Sequence, residues 1–330
     1  MPRKKTTEQT VNENFLMEHP DAIGREVGFS DMTELHGDWI REMAFGRKDY
    51  TLQAHRGSFK SSCLAVAIAL ILITFPKRNI IFIRKTDSDV SEMLGMVIKI
   101  LRSDLVQDIV AVKYGMTLRI ESEGMDHLST NLWKSPMGAQ QLLGLGIRTS
   151  ITGKHAWYVI TDDICNLSDR ISRAERERTK LQYDELQNIR NRGGRIINLG
   201  TPWHKDDVFS KMPNIHRFDC YETGLISTEK LDELRQSMAP SLFAANYELK
   251  HIASEDAYFD TPRPSQTTPG CFSTGSAILT RHTAGRTTRP SPAPHGRETP
   301  FICTAGFGTD TFRTIWTNAS WRRTGCSAGR

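Results

Sequence analysis

Leu52-Gln53-Ala54-His55-Arg56-Gly57-Ser58-Phe59-Lys60-Ser61-Ser62 runs straight into an apolar segment, Cys63 to Phe75, and the joining of these two pieces decides the class of fold. A loop that binds phosphate must turn tightly at a strand end, aim backbone N–H groups at phosphate oxygens, and present a lysine and a hydroxyl where the next helix begins. Gly57, Lys60 and Ser61 are those residue types at that spacing. In the full G-x-x-x-x-G-K-[ST] pattern the outer glycines would fall at Ala54 and Phe59, so the match is partial. From the loop alone, a polar turn with a solvated Lys60 remains the alternative. The apolar segment is shorter than the roughly 20 residues a membrane span requires, so it reads as a helix buried against a sheet, ended by Pro76.

The chain has 330 residues, 38% of them hydrophobic, enough for a substantial core and two or so domains. Its net charge of +5 is unevenly spread. Residues 1–260 hold 34 Lys and Arg against 36 Asp and Glu, whereas 261–330 hold nine Arg, no Lys, and only Glu298 and Asp310 as acids. Pro2-Arg3-Lys4-Lys5 is followed by a polar run, unlike a signal peptide, so a cytoplasmic setting is expected. Six cysteines without CxxC spacing support neither a zinc site nor a disulfide framework.

Residues 1–28 are expected to form a flexible arm, helical near Asn14 to His19, with a basic tip that is solvated or touches DNA or a partner. A helix starting at Ser30 or Asp31, with Glu34 as its capping-box partner, carries the stripe Leu35, Trp39, Met43. His36 and Trp39 are candidates for an adenine sandwich, with core packing the alternative for Trp39. Asn79 to Arg84 reads as a buried parallel strand, Asp89 to Leu105 as a helix and Thr117 to Ile120 as a strand, while Gly138 to Gly153 suggests a loop-rich rim.

His155 to Asp163 is an apolar strand delivering two adjacent carboxylates at its carboxyl end, where parallel sheets place their chemistry. Asp162 suits a phosphate-bound Mg²⁺, with Ser61 as the second ligand, and Asp163 suits the orientation of an attacking water. An acidic turn is the bland alternative. Ser168 to Arg192 reads as a charged helix closed by Gly193-Gly194. Its Arg173, Arg176 and Arg178 either reach a neighbouring subunit's nucleotide or pair with Glu175 and Glu177 on the surface. Arg195 to His204 is a further buried strand, ending in the turn Gly200-Thr201-Pro202.

These three motifs, in this order and at these separations, resemble the large terminase subunit of tailed bacteriophages over about Phe29 to Ala253. The resemblance implies an α/β P-loop NTPase of the ASCE type, a mostly parallel sheet sandwiched by helices over residues 29–254. It implies a Walker A loop, Arg56, Gly57, Ser58, Phe59, Lys60, Ser61 and Ser62, that binds ATP, with Arg56 and Asp163 catalytic. Mg²⁺ would sit on Ser61 and Asp162, and Gly200, Thr201 and Pro202 would couple hydrolysis to DNA movement. The implied partners are double-stranded viral DNA, the small terminase subunit, the portal protein of the procapsid and further copies in a ring, with no membrane. The implied location is the host cytoplasm, transiently at the procapsid portal and not in the mature virion. Phe59 departs from the family's second glycine, and Asp163 from the glutamate of many relatives.

The family's RNase H-like nuclease has no counterpart in residues 255–330. From 261 onward the chain holds 15 Thr and half of all the prolines, with no sustained period and too few carboxylates for a two-metal nuclease. This tail reads as translation of the wrong frame, or at least not as a folded nuclease. The leading function is thus the ATP-driven motor half of a terminase. An inert remnant that folds as a P-loop domain is the alternative, and a helicase is a third reading.

Overall fold

A computed structural model of the chain describes residues 18–251, apart from 136 and 137. The basic tip, most of the expected Asn14 to His19 helix and the whole expected tail from 255 lie outside the described residues.

Ile80-Ile81-Phe82-Ile83 shows how the sheet organises everything else. Ile80 and Phe82 enter one apolar cluster, and Ile81 and Ile83 enter another on the opposite face. The same alternation recurs at Tyr158 and Ile160 against Val159, and at Ile197 and Leu199 against Ile196. Successive side chains on a strand point to opposite faces, so a strand covered on both must be apolar throughout. The strands are β1 (Tyr50–Ala54), β2 (Ile80–Arg84), β3 (Ile120–Glu123), β4 (His127–Thr130), β5 (Leu142–Gly146), β6 (Ala156–Asp162), β7 (Arg190–Gly200) and β8 (Ile215–Phe218). They form one sheet of eight in the order β3-β4-β5-β2-β6-β7-β1-β8. From β5 to β8 every neighbouring pair is parallel, while β4 runs against both of its neighbours. The α/β class and the mostly parallel sheet with flanking helices are as the sequence implied.

One face carries α1 (Asp21–Glu26), α2 (Glu34–Phe45), α3 (Lys60–Thr74), α4 (Asp87–Leu101) and α5 (Asp104–Tyr114). α3 is the Cys63 to Phe75 segment, apolar all round because it is buried all round: every residue from Cys63 to Ile73 is inaccessible. The other face is covered by α7 (Arg173–Ile189), which follows the short α6 (Leu167–Ile171), and by a 3₁₀ turn, Val208–Lys211. Beyond β8, α8 (Cys220–Thr223), α9 (Thr228–Ser237) and α10 (Pro240–Asn246) gather a satellite cluster around Leu231, Phe243 and Tyr247. Among the described residues no helix is long and apolar enough to cross a membrane, and Cys63, Cys165 and Cys220 are free and buried.

Several elements differ from the sequence reading. The end of the expected arm is folded, since α1 buries Ile23 and Val27 is buried just after it. The Trp39 helix starts at Glu34 behind Thr33, whose backbone N–H donates to His36 Nδ1 at 2.8 Å, so His36 and not Glu34 closes the cap. The Asp89 to Leu105 helix is two helices, α4 and α5, parted at Arg102-Ser103, and the strand placed at Thr117 begins at Ile120. The expected rim contains β5, an interior strand. Its glycines serve packing: a Cβ on Gly144 would lie 2.2 Å from Val90 Cγ1 of α4, so only glycine lets that helix lie so close. Gly193-Gly194 does not close a helix. β7 begins at Arg190, and the glycines fall where its register against β6 shifts between Ala156 and Tyr158.

Candidate functional site

Because β2, β6, β7 and β1 are adjacent and parallel, their carboxyl ends lie side by side. That edge collects Arg84 from β2, Asp162 and Asp163 from β6, Gly200-Thr201-Pro202 from β7, and the loop from His55 to Phe59 after β1. Crevices at such an edge are where open α/β sheets bind ligands.

The loop is held from below and from behind. His55 N–H donates to Phe218 O at 3.3 Å, Arg56 N–H to Asn246 O at 2.8 Å and Ser58 N–H to His55 O at 3.3 Å. The buried His55 ring has Nε2 2.6 Å from Thr223 Oγ1. Gly57 has φ 82°, and Phe59, at the position of the missing second glycine, also adopts the left-handed conformation, φ 58° and ψ 15°. The backbone the pattern requires is therefore present without the glycine. Lys60, Ser61 and Ser62 form the first turn of α3, whose amino terminus has neither a side-chain cap nor an acid. Ser58 is buried, and its hydroxyl has no hydrogen-bond partner among the described residues. First-turn N–H groups without a cap, beside an unsatisfied buried hydroxyl, fit an oxyanion such as a phosphate.

The carboxylates come to this helix end. Ser61 Oγ donates to Asp162 Oδ2 at 3.1 Å, and Lys60 Nζ lies 3.7 Å from Asp163 Oδ2. Asp162 is inaccessible, whereas the Asp163 side chain is 39% exposed. Burial, reinforced by Asp163, pushes the Asp162 carboxyl up to about 6, against the opposing pull of Arg84, Lys60 and Ser61. A carboxylate so incompletely compensated, beside a hydroxyl, is a hard-oxygen site that a divalent cation would satisfy, so Ser61 and Asp162 fit Mg²⁺. Among the described residues there is no group of three or more His, Cys, Asp and Glu that could hold a metal, so phosphate and water oxygens would have to complete the shell. Asp163 is strained, with φ 47°. Gly200 makes room for it, since a Cβ there would stand 3.2 Å from Asp163 Oδ1 and 2.8 Å from the Phe209 ring.

Thr201 is brought to the loop rather than left open, its hydroxyl donating to Ala54 O, the last residue of β1, at 3.3 Å. Arg56 is exposed, and its guanidinium makes no ion pair or hydrogen bond among the described residues. Of the three α7 arginines, Arg176 is buried and donates to the carbonyls of Asp169 and Arg170, so it cannot reach outward, and Arg178 pairs with Glu175 at 3.6 Å. Arg173 is exposed. Trp39 lines an open cleft with Phe45, Tyr50 and Phe218, and His36 is not among the residues lining it. Both are buried, with Trp39 against Phe218 at 5.1 Å and His36 beneath the loop.

Arg84 belongs to no motif in the sequence and only ends its strand. Its guanidinium lies 3.0 Å from Asp162 Oδ2, donates to Asp89 O at 3.0 Å and approaches Glu92 at 3.6 Å, tying the buried carboxylate to α4. The available signal was a cation ending an apolar strand, which in a parallel sheet sits at the ligand edge.

No protein-family model matches the chain, and no curated protein matches its sequence. Solved structures similar to it include large terminases and a large-terminase ATPase domain, distant in sequence. The large terminase ATPase domain of Thermus phage P74-26 is 14% identical with a TM-score of 0.43, over 62% of this chain and 89% of that one. The HK97 bacteriophage large terminase is 12% identical with a TM-score of 0.45, over 67% of this chain and 50% of that one. The large terminase of a thermophilic bacteriophage in complex with ADP is 10% identical with a TM-score of 0.44, over 65% of this chain and 53% of that one. The match thus spans about half the length of the two longer proteins.

Proposed function

We propose that this chain is an ATP-hydrolysing motor of the phage-terminase type. The observation that carries the reading is the meeting of an uncapped helix end bearing Lys60 and Ser61 with Asp162 and Asp163, about a hundred residues away in sequence, at 3.1 and 3.7 Å. In this mechanism the first-turn N–H groups of α3 and Lys60 hold the β- and γ-phosphates, and Lys60 offsets the charge that develops as the bond to the leaving oxygen breaks. Ser61 and Asp162 would hold Mg²⁺, which when bound would further neutralise the phosphates. Asp163, more exposed and within reach of Lys60, orients the attacking water and takes up its proton. Arg56, at the loop surface, supplies a second positive charge toward the phosphates. Thr201 links the turn after β7 to β1 and couples turnover to movement of double-stranded DNA. Packaging into a procapsid through a portal, by a ring of copies working with a small subunit in the host cytoplasm, is the setting we propose.

Mg²⁺-dependent ATP turnover by the purified chain, with Lys60→Ala and Asp163→Asn, tests this. Both variants should lose hydrolysis, and Asp163→Asn should keep ATP affinity because only a transition-state role is removed. Wild-type turnover in the Asn variant would overturn the assignment of Asp163, and absence of turnover in the parent chain would overturn the reading.

A further inference from the structure

The non-glycine residue of the loop with positive φ is a phenylalanine, and a strained backbone of this kind persists only where its surroundings over-determine it. The surroundings are on α2. His36 is inaccessible and lies directly beneath the loop, its Nε2 3.2 Å from Ser58 O. Its Nδ1 faces the Thr33 backbone N–H at 2.8 Å. A backbone N–H can only donate, so Nδ1 accepts, the ring proton sits on Nε2, and Nε2 donates to the Ser58 carbonyl. Burial lowers the His36 pKa, in keeping with this neutral form. The Phe59 ring stands edge-on to the imidazole at 5.8 Å, and the imidazole edge-on to Trp39 at 5.3 Å. Thr33 therefore fixes the imidazole, and the imidazole grips the loop at two consecutive residues, one through a carbonyl and one through a ring.

We propose that His36 is a positioning residue for the phosphate loop, holding Ser58 and Phe59 in the anion-binding shape that a glycine at position 59 would reach without help. It rests on the nucleotide reading above, and it makes α2 part of the binding machinery.

His36→Asn is the discriminating variant. Its shorter amide can still accept from Thr33 N–H but cannot reach Ser58 O or meet Phe59. In the nucleotide-free full chain, amide hydrogen exchange in a peptide covering residues 55–62 should rise. Affinity for Mg·ATP should fall about tenfold, the scale of one lost buried hydrogen bond and one ring contact. Turnover at saturating ATP should change less than about twofold, because the lost interaction is uniform between ground and transition states. In a Phe59→Gly background the same substitution should cost less than about threefold, since glycine takes a left-handed conformation without strain. An equal penalty in both backgrounds, or unchanged loop exchange and affinity in a folded His36→Asn protein, would overturn the proposal. Raised loop exchange in a chain that never binds ATP would leave the loop-holding role standing and remove the nucleotide reading alone.

Discussion

Replacing Asp162 by Asn should make the metal-free protein more stable while removing the stabilisation conferred by Mg²⁺. Asp162 is inaccessible, and burial together with Asp163 raises its carboxyl from 3.8 to about 6. For an acid with a raised pKa the folded state binds more protons than the unfolded one, so the penalty is absent below the unfolded value. It grows as pH rises from 3.8 and is complete above about 6. At about 1.4 kcal/mol per unit, a shift of roughly two units corresponds to about 3 kcal/mol at pH 7.5. Asparagine has the same shape and no charge. Nor does the substitution strand Arg84, which keeps Asp89 O at 3.0 Å and Glu92 at 3.6 Å. For a domain of this size that energy is a rise of roughly 6–12 °C in melting temperature. Thermal melts in chelator at pH 7.5 measure it, and at pH 5 the gap should narrow to about half, where most wild-type molecules carry the proton. With Mg²⁺ and ADP added, the parent should gain stability and the variant little. A variant less stable than the parent in chelator at pH 7.5 would refute the reasoning, because the Arg84 pair would then outweigh the burial of the charge.

Gly144→Val would drive a side chain into Val90, which a Cβ alone would already approach to 2.2 Å, and should cost about 1–3 kcal/mol in urea unfolding; an unchanged midpoint would show that α4 can retreat. Arg195→Met should destabilise by about 3 kcal/mol or more, because the buried guanidinium donates to the carbonyls of Glu42, Met43 and Lys48, and stranding three acceptors costs more than the apolar chain returns. Stability within about 0.5 kcal/mol of the parent would show that water replaces it. Thr201→Val removes the hydroxyl bonded to Ala54 O and should leave ATP affinity intact while uncoupling ATP turnover from DNA translocation; normal translocation would reduce the turn to a structural part.

Residue type and hydrophobic period were enough to set the class of fold and the chemical types at the site. A helix apolar all round at Cys63 to Ile73 can only be buried, strands such as Ile80 to Ile83 can only lie inside a covered parallel sheet, and a lysine and hydroxyl before one with two carboxylates after the other belong on the same edge. These are properties of local residue type and period. The partners at that edge come from the folded arrangement alone: Arg84 closes on Asp162, Thr201 is spent on Ala54, and Arg176 turns inward. Strand order and register set those pairings, and neither is written in any single segment. The glycines show the same division. A sequence marks Gly138 to Gly153 as backbone freedom, but whether that freedom makes a turn or lets α4 press onto β5 depends on a helix fifty residues away. Likewise Phe59 reads as the wrong residue for its place until His36, held by Thr33 on a different element, is found supporting it.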